Sequence, residues 1–252
     1  MIEETELMGQ RSLSGETALI TGGAKRIGKA VAGALAGEGV NIALHYHTSS
    51  QAAASVCAEL RELGVEAWPV QADLSSPQQA ESLLEQAVCA AGPIHILVNN
   101  ASLFDPSSLC DVGLEQVSAN TAVNAWAPFA LSRAMAAQGV RGHIVNLLDT
   151  RLVGYDFTHV AYILSKHMLG ILTRMTALEY APLISVNAVS PGLILPPPGE
   201  DLEYLRQRAE SLPLKRHGDA EDIVAAVMFL LESTFTTGQV IHVDGGRHLR
   251  GD

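Results

Sequence analysis

The sequence predicts one α/β domain, a doubly wound (Rossmann) parallel sheet with helices on both faces. Short, nearly continuous apolar runs alternate with longer segments of helical period, as strands buried on both faces require. A glycine-rich turn, Gly22-Gly23-Ala24-Lys25-Arg26-Ile27-Gly28, joins the first apolar run to the first helical segment. Polar residues end the strands at the edge where such sheets hold their ligands. The 252 residues are 48% hydrophobic and 17% charged, enough for a sizeable core and unlike a disordered chain.

Residues 1–14 carry Glu3, Glu4 and Glu6 without periodicity and read as a mobile extension; 15–252 read as the single domain. The first strand spans 16–21, and the glycine turn feeds a helix through Ala36. The second strand is 40–47 and the next helix 50–63, closed by Gly64. A third strand, 65–71, precedes a helix begun by Ser76-Pro77, with proline in the first turn. A fourth strand at 93–99 leads into a loop, 100–111, then a long helical stretch to about Gln138. The fifth strand is 142–148. A helix from near Tyr162 to Tyr180 follows, then a sixth strand at 185–189. An irregular loop contains Pro196 to Pro198. Two helices, near 201–210 and 219–231, precede the last strand at 239–243. The predicted strand ends carry Thr21-Gly22, His47, Asp73, Asn99-Asn100, Asp149 and Ser190-Pro191-Gly192, which makes that edge the candidate site.

The net charge of -11 argues against nucleic acid and against an anionic membrane surface as partners. No apolar run is long enough to span a bilayer. Three cysteines, Cys57, Cys89 and Cys110, form no CxxC pair, and the acidic start is unlike a secretory signal; a reducing, cytoplasmic setting is expected. His45 and His47 share a strand face without a second ligand pair, so no metal is expected.

Tyr162 and Lys166 lie one helical turn apart and can share a face. A free tyrosine has a pKa of about 10, and a nearby cation favours the phenolate, so such a pair can move protons. Alone, such a pair is more often merely exposed; a preceding dinucleotide site gives it meaning. Gly22 and Gly28 let the backbone approach a pyrophosphate at a helix N-terminus, with Lys25, Arg26 and Lys29 as an anion clamp. The second strand ends without the carboxylate that an NAD site uses for the ribose 2′-hydroxyl. His47, Thr48, Ser49 and Arg26 suit a 2′-phosphate, which predicts NADP(H). Asp73 and Leu74 can face adenine, or Asp73 can simply cap the next helix.

Together, Thr21-Gly22 with Gly28, Asn99-Asn100-Ala101, Asn124, Tyr162 with Lys166, and Pro191-Gly192 resemble the short-chain dehydrogenase/reductase family across nearly the whole chain. Within it, the chain is similar to the pteridine reductases, including the dihydromonapterin reductases. Four features carry this: Arg26 in place of the middle glycine of the turn, Leu44-His45-Tyr46-His47, Asn99-Asn100-Ala101-Ser102-Leu103-Phe104, and Asn146-Leu147-Leu148-Asp149 with aspartate in place of the usual serine. The C-terminal Asp244 to Arg250 resembles the dihydromonapterin reductases especially. Thr48 departs from the trypanosomatid pteridine reductases, which have arginine there.

The resemblance implies hydride transfer from NADPH to a pterin ring carbon, with dihydropterin, oxidised pterin or dihydrofolate as substrate. It implies Tyr162 as proton donor, Lys166 on the nicotinamide ribose, Asn124 holding a water, and Asn100, Ala101, Ser102, Pro191 and Gly192 at the cofactor. Phe104 would stack on the pterin, Ser102 and Arg26 would reach it, and Leu193 would wall the pocket. Asp149 should raise the pKa of Tyr162 and keep it protonated, which suits donation to a ring nitrogen. Relatives are tetramers, and their C-terminal segment, here Arg247, His248 and Arg250, can reach a neighbour's pocket. The rival expectations are a general carbonyl or 3-oxoacyl thioester reductase and a non-catalytic NADP(H)-binding sensor.

Overall fold

A computed structural model describes residues 11–197 and 199–250. Seven parallel strands form one sheet in the order β3-β2-β1-β4-β5-β6-β7. They are β1 (Thr17–Ile20), β2 (Asn41–Tyr46), β3 (Ala67–Gln71), β4 (Ile96–Asn99), β5 (Gly142–Leu147), β6 (Ile184–Pro191) and β7 (Val240–Val243). Eight helices connect them: α1 (Arg26–Gly37), α2 (Ser50–Glu62), α3 (Pro77–Ala91), α4 (Leu114–Thr121), α5 (Ala127–Ala137), α6 (Val160–Glu179), α7 (Leu202–Ala209) and α8 (Ala220–Glu232).

The apolar runs are continuous because consecutive residues serve opposite faces. In β1, Ala18 and Ile20 enter one core and Leu19 the other; in β4, Ile96 and Val98 oppose Leu97. Residues of α1, α2 and α8 cover the first face, and residues of α3 and α5 the second. Pro69 sits in β3, an outer strand, where a missing N–H is tolerated. Strand order reverses direction between β1 and β4, and this switch point places the candidate site.

The expected extension needs a correction. Residues 1–10 lie outside the described residues, but Leu13 is 3% exposed within the core, and Arg11 pairs with Glu16 and His143. The domain therefore takes in residues before 15, because a leucine side chain gains more from the core than from solvent.

The expected unbroken helix to about Gln138 is also modified. Between α4 and α5 the ladder widens to π geometry over Ala122–Trp126, and the Ala127 N–H reaches the Ala122 carbonyl. Pro128, four residues after Asn124, has no N–H to return to the Asn124 carbonyl, so α geometry cannot close there. Among the described residues, no helix is long and apolar enough to cross a membrane, and all three cysteines are free.

Candidate active site

The six expected polar clusters lie at or just beyond the carboxyl ends of β1 to β6. The ends of β1 and β4 are tied together. Thr21 Oγ1 accepts from the N–H groups of Asn100 and Ala101 at 2.9 and 3.0 Å, and Asn100 Nδ2 donates to the carbonyls of Thr21 and Gly22. Gly22 has φ +63°, and a Cβ on Gly28 would lie 2.5 Å from the Gly22 carbonyl oxygen. That crowding is the reason for glycine at 28, and it leaves a backbone cradle facing the start of α1. Lys25, the N-cap of α1, makes no side-chain cap, so the first-turn N–H groups remain available to an anion.

Arg26 occupies the left-handed region at φ +53°, the position where glycine is usual. Such backbone costs roughly 1–2 kcal/mol for a non-glycine residue and persists only where something offsets it. Its guanidinium donates to the Pro196 carbonyl at 2.8 Å, joining the turn to the loop after β6. Ile27 packs against the first core. Lys29 is not free for a clamp: it pairs with Glu59 at 2.7 Å.

At the end of β2, His47 and Thr48 are exposed, and Ser49 is the N-cap of α2 without a side-chain cap. No hydrogen bond engages the Thr48 or Ser49 hydroxyls among the described residues. Asp73 does not cap α3; Ser76 does. Asp73 instead accepts from Ser75 N and Oγ and stands 3.8 Å from His47, while Leu74 is buried.

His45 is a positioning residue that sequence reasoning used only as a motif. Its Nδ1 accepts from the Gly22 N–H at 3.1 Å, so its Nε2 carries the proton, directed at the Ala72 carbonyl 3.1 Å away. Burial holds its pKa down to about 4, so the ring is neutral. A histidine inside a mostly apolar strand was the available signal.

Tyr162 and Asp149 meet directly. The phenol donates to Asp149 Oδ2 at 2.8 Å, and Asp149 Oδ1 accepts from the Arg151 N–H at 2.8 Å. Burial first, then the charge and hydrogen bond of Asp149, raises the Tyr162 pKa well above 10. The direction is the one expected of Asp149, and it prevails over the phenolate expected from Lys166. Its Nζ is 5.7 Å from the Tyr162 ring centroid and donates to the Leu147 carbonyl at 2.6 Å. Burial lowers the Lys166 pKa to about 8, against the opposing pull of Asp149.

The Asn124 side chain is spent on protein partners. Oδ1 accepts from Leu103 N at 2.8 Å and Ser102 Oγ at 3.1 Å; Nδ2 donates to Leu103 O and Ser165 Oγ, both at 2.9 Å. It therefore locks the loop after β4 to α6. Phe104 reaches the phenol, with its ring edge-on to Tyr162 at 4.7 Å. It also has protein neighbours of its own: His159 stacks on it at 4.2 Å and the Arg151 guanidinium lies 4.7 Å from its centroid.

Ser190 and Pro191 belong to β6 itself, and the buried Ser190 Oγ has no partner. Gly192 is required by packing, since a Cβ there would lie 2.5 Å from the Asp244 Cβ. Asp244 accepts from Gly246 N, His248 N and Thr150 Oγ1. His242, Asp244 and His248 bring ligand-capable atoms within 4.8 Å of one another, a grouping the sequence did not suggest. Asp244 is already engaged in holding the C-terminal turn. Arg247 and Arg250 line a cavity together with Leu193 and Arg151.

Comparison with known proteins bears on this arrangement. The family model described as enoyl-(acyl carrier protein) reductase matches residues 22–248. The chain is 34% identical to an uncharacterized oxidoreductase of Mycobacterium tuberculosis, covering 93% of this chain and 92% of that one. It is 32% identical to the 3-oxoacyl-[acyl-carrier-protein] reductase FabG of Staphylococcus epidermidis, covering 93% and 99%. Among solved structures, FolM alternative dihydrofolate reductase 1 from Brucella canis, complexed with NADP, superposes with a TM-score of 0.88 at 34% identity, covering 95% of this chain and 96% of that one.

Proposed function

The chain is an oxidoreductase of the short-chain dehydrogenase/reductase family, and we propose that it reduces a C=N bond of a pterin ring with NADPH, taking a dihydropterin or dihydrofolate to the tetrahydro form. The observation that carries this reading is the 2.8 Å bond from Tyr162 to Asp149. Reduction of a ketone builds negative charge on oxygen, and a carboxylate beside the donor opposes that charge. A C=N nitrogen is itself basic and can take the proton before or with the hydride, so that no anion builds up on it, and this asks for a phenol that stays protonated until then.

The residues fit NADP(H). The Gly22–Gly28 cradle and the uncapped start of α1 suit the pyrophosphate, and the unengaged hydroxyls of Thr48 and Ser49 suit a 2′-phosphate. NADP in the similar Brucella protein agrees with this reading. When bound, the nicotinamide would supply the hydride. Tyr162 delivers the proton to the adjacent nitrogen, and Asp149 orients and protects the phenol. Lys166, with a pKa of about 8, holds its proton less firmly than a surface lysine and can restore it to Tyr162. The water expected at Asn124 belongs at its main-chain carbonyl, which Pro128 leaves without an α-helical donor.

We place the enzyme in the cytoplasm as a homotetramer. Leu164, Met168, Ile171, Met175 and Leu178 are exposed along one stripe of α6, which supports association through that helix. A monomer in light scattering would remove the tetramer.

The similarity to FabG supports a second reading, reduction of 3-oxoacyl thioesters. NADPH oxidation measured with a dihydropterin, dihydrofolate and a 3-oxoacyl thioester separates the two. Turnover of the thioester alone would overturn the pterin reading.

A further inference from the structure

Sixteen lysines and arginines are spread through this acidic chain, yet four arginines converge on one cavity of about 260 Å³. Arg151 comes from the turn after β5, Arg208 from α7, and Arg247 and Arg250 from the C-terminal turn. Only Arg151 has a carboxylate partner among the described residues, Asp156 at 3.0 Å. Arg208 lies 3.6 Å from the Tyr204 ring centroid, and Arg250 donates to the Ser211 carbonyl at 2.6 Å. Four arginines thus line one cavity, and among the described residues they have a single carboxylate partner. Like charges gathered around one cavity repel, and planar guanidiniums match the paired oxygens of carboxylates and phosphates.

Arg151 links the cavity to the neighbourhood of the reaction centre. The Arg151 guanidinium lies 4.7 Å from the Phe104 ring centroid, and Phe104 lies 4.7 Å from Tyr162. Leu193, expected on the substrate wall, lines the same cavity. A substrate whose flat head reaches Tyr162 past Phe104 would therefore carry its tail among the arginines.

We propose that this cavity binds an anionic tail on the substrate, so that the preferred pterin bears carboxylates or a phosphate rather than a side chain of hydroxyls alone. The inference rests on the pterin reading for the head group. Glutamyl carboxylates, as on a folate, and a phosphate ester share the required chemistry.

The test compares the whole enzyme with R208Q/R247Q on three substrates: dihydrofolate, the phosphate ester of a dihydropterin, and neutral dihydrobiopterin. A preference of about tenfold or more in kcat/KM for an anionic substrate is expected. It should collapse in the double variant, mostly through KM, and weaken with added salt. Preference for the glutamyl tail or for the phosphate identifies the source. Equal kcat/KM on charged and neutral pterins, or a preference unchanged in the double variant, would overturn the tail site while leaving pterin reduction standing. If no pterin turns over, the pterin reading fails, and calorimetry with γ-triglutamate and with pyrophosphate decides the cavity by itself. Binding lost in R208Q/R247Q supports an anion site; binding of neither overturns it.

Discussion

Replacing Asp149 with asparagine keeps the side-chain shape and removes the charge facing Tyr162. The bond is 2.8 Å long and the tyrosine is 5% exposed, so solvent screens it little. A hydrogen bond to a charged group contributes about 1.5–3 kcal/mol, which corresponds to roughly 10- to 150-fold in rate if it operates in the transition state. Burial alone still favours the neutral phenol in the variant, so the pKa of Tyr162 should fall only part of the way towards its ordinary value. Pterin reduction by D149N, followed as NADPH oxidation, should drop by about tenfold or more. NADPH affinity, read by fluorescence titration, should hold, because Asp149 contacts none of the Gly22–Gly28 cradle. Asp149→Ser should show the same loss and gain relative activity on a 3-oxoacyl thioester. Undiminished pterin turnover in D149N would refute the proton-holding role and favour the thioester reading.

Tyr162→Phe removes the donor itself and should lower turnover more than any change at Asp149; comparable rates for the two variants would mean that another group supplies the proton. Gly28→Ala puts a Cβ 2.5 Å from the Gly22 carbonyl oxygen and 2.6 Å from Asn100 Nδ2. Overpacking of this kind costs about 1–3 kcal/mol, and a lowered Tm with weakened NADPH binding is expected; unchanged NADPH affinity would dissociate the cradle from the cofactor. Ser49→Asp adds a negative charge at the start of α2 and should shift preference from NADPH towards NADH; an unaltered ratio would move the 2′-phosphate site elsewhere. Burial lowers the pKa of both His45 and His143 from 6.5 to about 4. The folded state favours the neutral rings, so their contribution is complete above pH 6.5 and is lost as the pH falls towards 4. Each accounts for about 3 kcal/mol over that window. A urea midpoint that stays level between pH 7 and 5 would contradict this.

The alternation of apolar runs and helical periods carried the strand and helix order, because each strand of a doubly wound sheet must be apolar on both faces. Tyr162 and Lys166 were legible for a similar reason, because their spacing puts both on one helix face, and Asp149 was legible through the resemblance, where relatives carry serine. Leu13 was missed because a single apolar residue in a polar segment has no period to reveal it. The π segment at Asn124 was hidden in an otherwise helical pattern, although Pro128 marked where α geometry had to give way.

By itself, the sequence determined the features that depend on local period and residue type: the fold class, the glycine turn at Gly22–Gly28, and the candidates proposed as proton-moving groups. Only the tertiary structure decided which neighbour prevails. Lys166 turned to the Leu147 carbonyl while Asp149 met the phenol, so of the two opposing influences the sequence offered, the rise expected from Asp149 prevails. Lys29 went to Glu59 and Asn124 to the loop after β4. Arg151, Arg208 and the neighbouring pair Arg247 and Arg250 are far apart along the chain. Their convergence depends on how β5, α7 and the C-terminal turn pack in three dimensions, because electrostatic energies are set by distance and burial, and neither is written in the order of residues.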